Sequence, residues 1–493
     1  MIEMSLAEIA EVTGGRLHRT DGSERVTASV EFDSRELRAG GLFVALPGER
    51  VDGHTFAAKA VADGAAGVLA GREVDAPAVI APPVHGADGG TSNAMALAGD
   101  TDGSGAAVLA ALAKLARHVV DRLTEDGLFV VGVTGSSGKT STKDLIAQLL
   151  EPLGPTVAPP GSFNNELGHP WTALRADAST RHLVLELSAR GPGHIAELAR
   201  VAPPTIGAVL NVGSAHVGEF GSREGIAKTK GELVEALPSG GVAILNADDP
   251  LVAAMASRTS ARVVFVGESP EATVRAENVR LDDQARASFR LVTPQGSADV
   301  TLSLYGEHHV GNALTAAAIA LEAGTDVEDV ARRLSSAQRR SARRMEVTTR
   351  EDGVTVLNDS YNANPESMKA ALKTLASMAR SGGRRSWAVL SEMGELGTDS
   401  VSAHDEIGRL AVRLNISRLV VVGDAAAPMH TGASHEGSWG EESVLVPDTD
   451  AAVALLRDEL RPDDVVLVKA SKVAEMWRVA DALLEGTELE GTE

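Results

Sequence analysis

Short apolar runs, separated by stretches with apolar residues at helical spacing, set the rhythm of this 493-residue chain. Residues 128–133 read Leu-Phe-Val-Val-Gly-Val, a continuous run suited to a central parallel strand covered on both faces. Similar runs at 183–187, 208–212 and 242–245, with helical pattern between them, predict a doubly wound, mostly parallel sheet. Apolar and polar residues alternate within 260–305, as in 274–279 and 287–292, which predicts a small antiparallel patch. The Ala-rich stretch 311–324 reads as helix. Further runs at 354–357, 387–390, 419–422 and 465–468 predict a second α/β unit. Toward the start, short runs at 29–32, 41–46, 67–69 and 78–80 surround an Ala-rich helical stretch at 55–62, and an amphipathic run covers 106–123. Between them, residues 85–105 collapse to Gly, Ala, Asp, Ser and Thr. That composition reads as a flexible surface insertion, because it buries too little apolar area to offset ordering. The expected class is α/β in three domains: 1–110, 111–335 and 336–493. No repeat of solenoid length interrupts this pattern.

Composition narrows the chemistry. With 68 Asp+Glu against 46 Lys+Arg the net charge is −22, which argues against a broad nucleic-acid-binding face. Any phosphate site must then be built locally. The absence of cysteine excludes a disulfide scaffold, a thiol nucleophile and Cys-based metal centres. Met1-Ile2-Glu3-Met4 lacks the basic start of a signal peptide, and no apolar run approaches ~20 residues. A soluble cytoplasmic protein, without membrane insertion, is the expectation.

The sharpest motif is Thr134-Gly135-Ser136-Ser137-Gly138-Lys139-Thr140-Ser141, between the predicted strand 128–133 and a helical run at 143–150. Glycines let backbone N–H groups curl around an anion, and a helix N-terminus adds its dipole. Lys139 is suited to β/γ-phosphates and the Thr140 hydroxyl to Mg²⁺. The strict spacing of such loops fails by one position, since Val133 stands where the first glycine belongs and Gly132 precedes it. Glu186 ends the apolar run Leu183-Val184-Leu185; a buried lone carboxylate is costly unless it is paired or binds metal. At the carboxyl edge of a parallel sheet it would face the phosphate loop; otherwise it is a solvated strand end. Asn211-Val212-Gly213-Ser214-Ala215-His216 follows the next strand, and His216 is either a metal or phosphate ligand or a structural histidine. Lys228 and Lys230 do not share a helix face, so at most one enters the site.

Together these segments, with Ala227-Lys228-Thr229-Lys230-Gly231-Glu232 and Gly311-Asn312-Ala313, resemble the Mur ligases of peptidoglycan synthesis over nearly the whole chain. Within that family, four segments are similar to the member that adds D-Ala-D-Ala. They are Phe32-Asp33-Ser34-Arg35 with 41–48 and 52–54, Phe163-Asn164-Asn165-Glu166-Leu167-Gly168-His169-Pro170, the segment 358–368, and, more loosely, 391–397. The Asp-Asn-Pro-Arg motif of the diaminopimelate-adding relative has no match here.

The resemblance implies an N-terminal UDP-binding domain, a central ATPase and a Rossmann-like C-terminal domain that closes on ATP by a hinge near 335–345. It implies that ATP phosphorylates the terminal carboxylate of a UDP-MurNAc-tripeptide and that the amine of D-Ala-D-Ala displaces phosphate. Cell-wall biogenesis, cell shape and division, and a monomeric enzyme, belong to the same expectation. Two Mg²⁺ sites are implied, one at Thr140 and Glu186 and one held by His216. A lysine carbamylated by CO₂ helps hold the second; spacing from His216 assigns this to Lys230, with Lys228 as the alternative and a simple phosphate pairing as the plainer reading. Asn312 is implied at adenine, or as a helix N-cap. Arg344 is implied at ATP, with Arg343 a solvated neighbour, and Asp359 at ribose or organising that arginine. Ser34 and Arg35 would contact the uridine diphosphate, Asn164 and Asn165 the nucleotide-sugar substrate, and Asn362, Asn364 and Ser367 the dipeptide. Ala470 replaces a glycine usual in the family, which argues against a left-handed backbone there. Other readings are a folylpolyglutamate-type or different Mur-type amide ligase, and a phosphate-loop NTPase switch that turns over nucleotide without an amine.

Overall fold

The computed structural model describes residues 1–48, 51–84, 100–213, 220–437 and 440–485. Its central feature is a nine-stranded sheet. From one edge to the other the strands are Gly296–Tyr305, Arg286–Thr293, Val274–Leu281, Arg262–Gly267, Val242–Asn246, Ile206–Val209, Phe129–Thr134, His182–Glu186 and Thr156–Val157. Every neighbouring pair from Thr156–Val157 to Val274–Leu281 is parallel. The first three strands of that order form the antiparallel patch. That patch starts later than the alternation suggests, because Arg262–Gly267 continues the parallel sheet.

Phe129–Thr134 lies between His182–Glu186 and Ile206–Val209. The chain adds strands on one side of it and then crosses to the other. Such a switch opens a crevice at the carboxyl ends of the strands, where α/β proteins bind ligands. Both faces are covered, one by Lys139–Leu150 and His309–Glu322, whose Leu145, Ile146, Leu314 and Ala317 are almost fully buried.

A six-stranded sheet follows: Glu346–Thr349, Thr355–Asn358, Val465–Lys469, Ser386–Leu390, Arg418–Val422 and Ser443–Val446. Only its first pair is antiparallel. The N-terminal segment carries a five-stranded sheet, Arg16–His18, Ala78–Ile80, Gly67–Ala70, Leu42–Val44 and Val30–Glu31. The fold is thus mixed α/β with mostly parallel sheets, as the apolar runs predict.

The junction of the first two parts departs from the expectation. Residues 110 and 111 lie inside one helix, Ser104–Glu125. Its Val108, Leu112, Leu115 and Val119 join a single core with Leu6 and Ile9 on one side and Leu183 and Leu185 on the other. The expected insertion also shrinks. Residues 85–99 lie outside the described residues, but Asp100 caps this helix by accepting from the backbone N–H of Gly105 and Ala106 at 3.0 and 2.9 Å. Asp102 pairs with Arg72 at 2.7 Å, so Asp100 and Asp102 supply a cap and an ion pair. Among the described residues, no helix is long and apolar enough to cross a membrane.

Candidate active site at the carboxyl ends of two sheets

The phosphate-loop helix begins at Lys139, earlier than the apolar periodicity suggests. Its first turns bury Thr140, Thr142, Lys143 and Asp144, polar residues that hide a core-facing surface from any hydrophobic pattern. Gly138 is the N-cap, in the left-handed region with φ +81°, and caps through no side chain. The first N–H groups of the helix therefore lack a side-chain cap and can receive an anion. Asn211 clamps the loop from the neighbouring strand. Its Oδ1 accepts from Ser137 N at 3.0 Å, its Nδ2 donates to Ser137 O at 3.2 Å, and its carbonyl accepts from Ser136 N at 3.1 Å. Lys139 Nζ folds back to Gly135 O at 2.6 Å, and Ser141 lines the same cleft.

A Cβ at Gly138 would lie 2.7 Å from Asn312 Oδ1. Gly138→Ala is therefore expected to force Asn312 aside and to add roughly 1–2 kcal/mol of left-handed strain. The expected readout is a several-fold higher KM for ATP with little change in secondary structure; unchanged ATP affinity would show that the loop tolerates the shift.

Glu186 is fully buried, beside Val133 in the parallel register. Its Oε2 accepts from Ser162 Oγ and Asn164 Nδ2, both at 3.3 Å. Its Oε1 is buried without a hydrogen-bond partner. An orphaned carboxylate oxygen close to a phosphate loop is costly unless a cation completes it, so the residues present fit a divalent metal. Burial lowers the Lys139 pKa, and the field of Glu186 opposes that shift.

Lys228 is exposed, and Lys230, at the end of the helix Arg223–Lys230, is 7% exposed. Burial first, and then repulsion by Lys139, push the Lys230 ammonium well below its ordinary range against the pull of Glu366. The Glu366 carboxylate lies against Gly213, where a Cβ would come within 2.3 Å of it. His216 lies outside the described residues.

The C-terminal sheet closes the cleft. Asp359 and Lys469 end adjacent parallel strands and pair at 2.6 Å, with Lys469 almost fully buried. Lys469 also donates to Asn362 O at 2.8 Å. Asp359 Oδ1 accepts from Met345 N at 3.1 Å, so it holds the backbone next to Arg344. The Arg344 guanidinium lies over the Tyr361 ring at 4.3 Å, with its buried Nε unpartnered. Arg343 is more than a solvated neighbour: half-buried, it lies over the Trp477 ring at 4.4 Å.

Asn312 is not an N-cap. The cap of His309–Glu322 is His308, and Asn312 lies buried in the first turn against Gly138, its Nδ2 3.3 Å from His309 Nδ1. His308 and His309, which sequence reasoning passed over, stack at 4.3 Å and line the cleft. Burial lowers His308 to about 4 and His309 well below its usual value, so at neutral pH the two rings do not repel as cations.

The residues expected at the substrates carry local structural bonds. Asn364 and Ser367 form a reciprocal cap on Pro365–Ser381, and Asn364 Nδ2 also donates to Ser136 O at 3.1 Å, tying the C-terminal part to the phosphate loop. Asn165 Oδ1 accepts from Gly168 N at 2.9 Å at the start of a helix. Phe163 packs with Phe32 and Trp171, at 6.4 and 4.7 Å between ring centres. This brings the Ser34–Arg35 turn near the Asn164–Asn165 segment. Arg35, 86% exposed, donates to Asp33 and holds that carboxyl down at about 2. Ala470 is fully buried with no positive φ, as its Cβ requires.

A phosphate loop, a buried carboxylate on the adjacent strand and a second α/β unit reaching in with an arginine define an ATP-dependent enzyme of the phosphate-loop class. The sequence matches the Mur ligase middle domain over residues 133–320, the Mur ligase glutamate ligase domain over 343–472 and the Mur ligase catalytic domain over 27–117. The chain belongs to the Mur ligase family. It is 57% identical, with 98% of each chain covered, to the UDP-N-acetylmuramoyl-tripeptide–D-alanyl-D-alanine ligase of Mycobacterium tuberculosis. It is 33% identical to that of Escherichia coli over 98% of this chain and 99% of the relative. A crystal structure of MurF from Acinetobacter baumannii superposes with a TM-score of 0.83 at 29% identity, covering 98% of this chain and 99% of its own. MurF ligase from Thermotoga maritima in complex with ADP gives 0.76 at 28% identity, covering 94% and 98%.

Proposed function

We propose that this chain joins D-Ala-D-Ala to the terminal carboxylate of a UDP-MurNAc-tripeptide at the expense of ATP, forming the UDP-MurNAc-pentapeptide of peptidoglycan. The observation that carries this reading is the unpartnered Oε1 of Glu186 at the same sheet edge as Lys139 and Thr140, beneath a C-terminal unit hydrogen-bonded to the loop by Asn364.

A carboxylate repels nucleophiles and has no usable leaving group. Phosphorylation by ATP supplies one, and the resulting acyl phosphate yields to the dipeptide amine through a tetrahedral intermediate that expels phosphate. Phosphoryl transfer depends on positioning and charge neutralisation. In this reading Thr134, Gly135, Ser136, Ser137, Gly138, Lys139, Thr140 and Ser141 hold the phosphates. Asn312 and Asp359 orient the nucleoside, and Arg344 reaches the phosphate chain from the other side. Thr140 and Glu186 hold one Mg²⁺, and His216 with a Lys230 carbamate the second; when bound, these ions offset the repulsion between the carboxylate and the γ-phosphoryl group. Lys230 in its neutral form adds CO₂ at Nζ and releases one proton, turning a misplaced cation into an anionic ligand. Ser34, Arg35, Asn164 and Asn165 bind the UDP-substrate, and Asn362, Asn364 and Ser367 the dipeptide. In this reading the parts on either side of the helix Ser104–Glu125 work as one block and the C-terminal unit from about 336 acts on it, in a monomeric cytoplasmic enzyme.

Phosphate release tests this. With ATP and UDP-MurNAc-tripeptide, release is expected only when D-Ala-D-Ala is added. Release on adding glutamate or another single amino acid would point to a different amide ligase, and release without any amine to an NTPase.

A further inference from the structure

One face of the phosphate-loop helix is occupied by the chain that enters the C-terminal sheet. Asp144, Gln148 and Glu151 follow one another at helical spacing. Gln148 Oε1 accepts from Gln338 N at 2.9 Å and its Nε2 donates to Gln338 O at 2.9 Å. Glu151 pairs with Arg340. Asp144 Oδ2 accepts from Ser341 Oγ at 2.6 Å and from Ser341 N at 3.1 Å. The Asp144 charge is matched by Lys143, which is 2% exposed and also donates to Pro159 O at 2.7 Å. A buried pair of this kind is costly unless its remaining valences are met, and here Ser341 meets two of them.

Beyond Ser341 the backbone is strained. Arg343 and Met345 have φ of +58° and +48°, and such residues persist only where the surroundings over-determine them. The second anchor is Met345 N on Asp359. Arg344 hangs between the two anchors, lining the cleft that also holds Lys139.

We infer that Asp144 is a positioning residue that, through the Ser341 hydroxyl, sets Arg344 against the nucleotide bound at the start of its own helix. The inference rests on the proposed placing of Arg344 at ATP. One helix then carries the phosphate loop at its start and the seat of the opposing arginine about a turn and a half later, so both register on the same rigid element.

Ser341→Ala removes the hydroxyl and keeps the backbone bond, which spares the fold that Asp144→Ala would endanger. The measurement is the affinity for a non-hydrolysable ATP analogue in the full-length protein. It is made for wild type, Ser341→Ala, Arg344→Ala and the double variant, with the melting temperature of each. A hydrogen bond to a charged group corresponds to about tenfold in affinity when lost. Ser341→Ala should therefore weaken binding by up to about tenfold, Ser341→Thr should restore it, and in the Arg344→Ala background Ser341→Ala should change nothing further. A merely structural role would lower the melting temperature yet leave the two substitutions additive. Additivity, wild-type affinity in Ser341→Ala, or no effect of Arg344→Ala would each overturn the inference. Because this is a binding cycle, it stands or falls independently of whether the wild type ligates the dipeptide.

Discussion

Lys230→Ala is expected to abolish turnover, with a fall in kcat of at least about 10²–10³-fold, the scale for losing one preorganised electrostatic group at a reacting centre. The reasoning starts from burial. Lys230 ends its helix with its side chain withdrawn from water, and Lys139 repels it. Both effects favour the neutral amine, the form that takes up CO₂. Lys228, two residues earlier on the same helix, is exposed and lacks that burial. The sign of the pH dependence follows. Lowering pH refills the amine with a proton and withdraws the carbamate, so activity should fall toward acid, and added bicarbonate should partly offset the loss. Lys230→Arg separates this from a simple phosphate contact. An arginine keeps a cation and cannot form the carbamate, so it should be as inactive as alanine. Wild-type rates in either variant would remove Lys230 from the reaction.

Glu186→Gln should lower kcat by at least about 10²-fold, equivalent to ~2.7 kcal/mol, and raise the Mg²⁺ concentration needed for half-maximal activity. The amide retains a carbonyl oxygen to accept from Ser162 and Asn164, so the strand and its neighbours should stay folded. What it loses is the charge and the second carboxylate oxygen, the atom left unpartnered in the structure. Kinetics titrated with Mg²⁺, alongside a melting curve, check this. Unchanged Mg²⁺ dependence with a lowered melting temperature would assign Glu186 to the core alone.

Much of the architecture was legible because covered parallel strands are nearly continuous apolar runs. Phe129–Thr134, His182–Glu186 and Val465–Lys469 lie within a residue or two of where those runs put them. The phosphate loop was legible because glycines, lysine and threonine stand between a strand and a helix. The helix start was less so, since Thr140, Lys143 and Asp144 are polar and buried, and hydrophobic periodicity cannot report a polar face turned inward. Asn364, Pro365 and Ser367 follow a helix-start pattern, and Asn364 and Ser367, expected at the dipeptide, form the cap. The Asn211 clamp, the Arg343–Trp477 stack and the Asp359–Lys469 pair join residues far apart in the chain. Each exists only once the strands are in register, and no local window contains it.

The helix Ser104–Glu125 has a practical consequence. Its apolar stripe is shared between the first sheet and the central one, so a chain severed near residue 110 would leave half a helix and a raw oily flank on each piece. The two parts should therefore melt together as one cooperative block. A lesion in the Leu6–Ile9 layer would then register as lost ATP affinity, far from any phosphate.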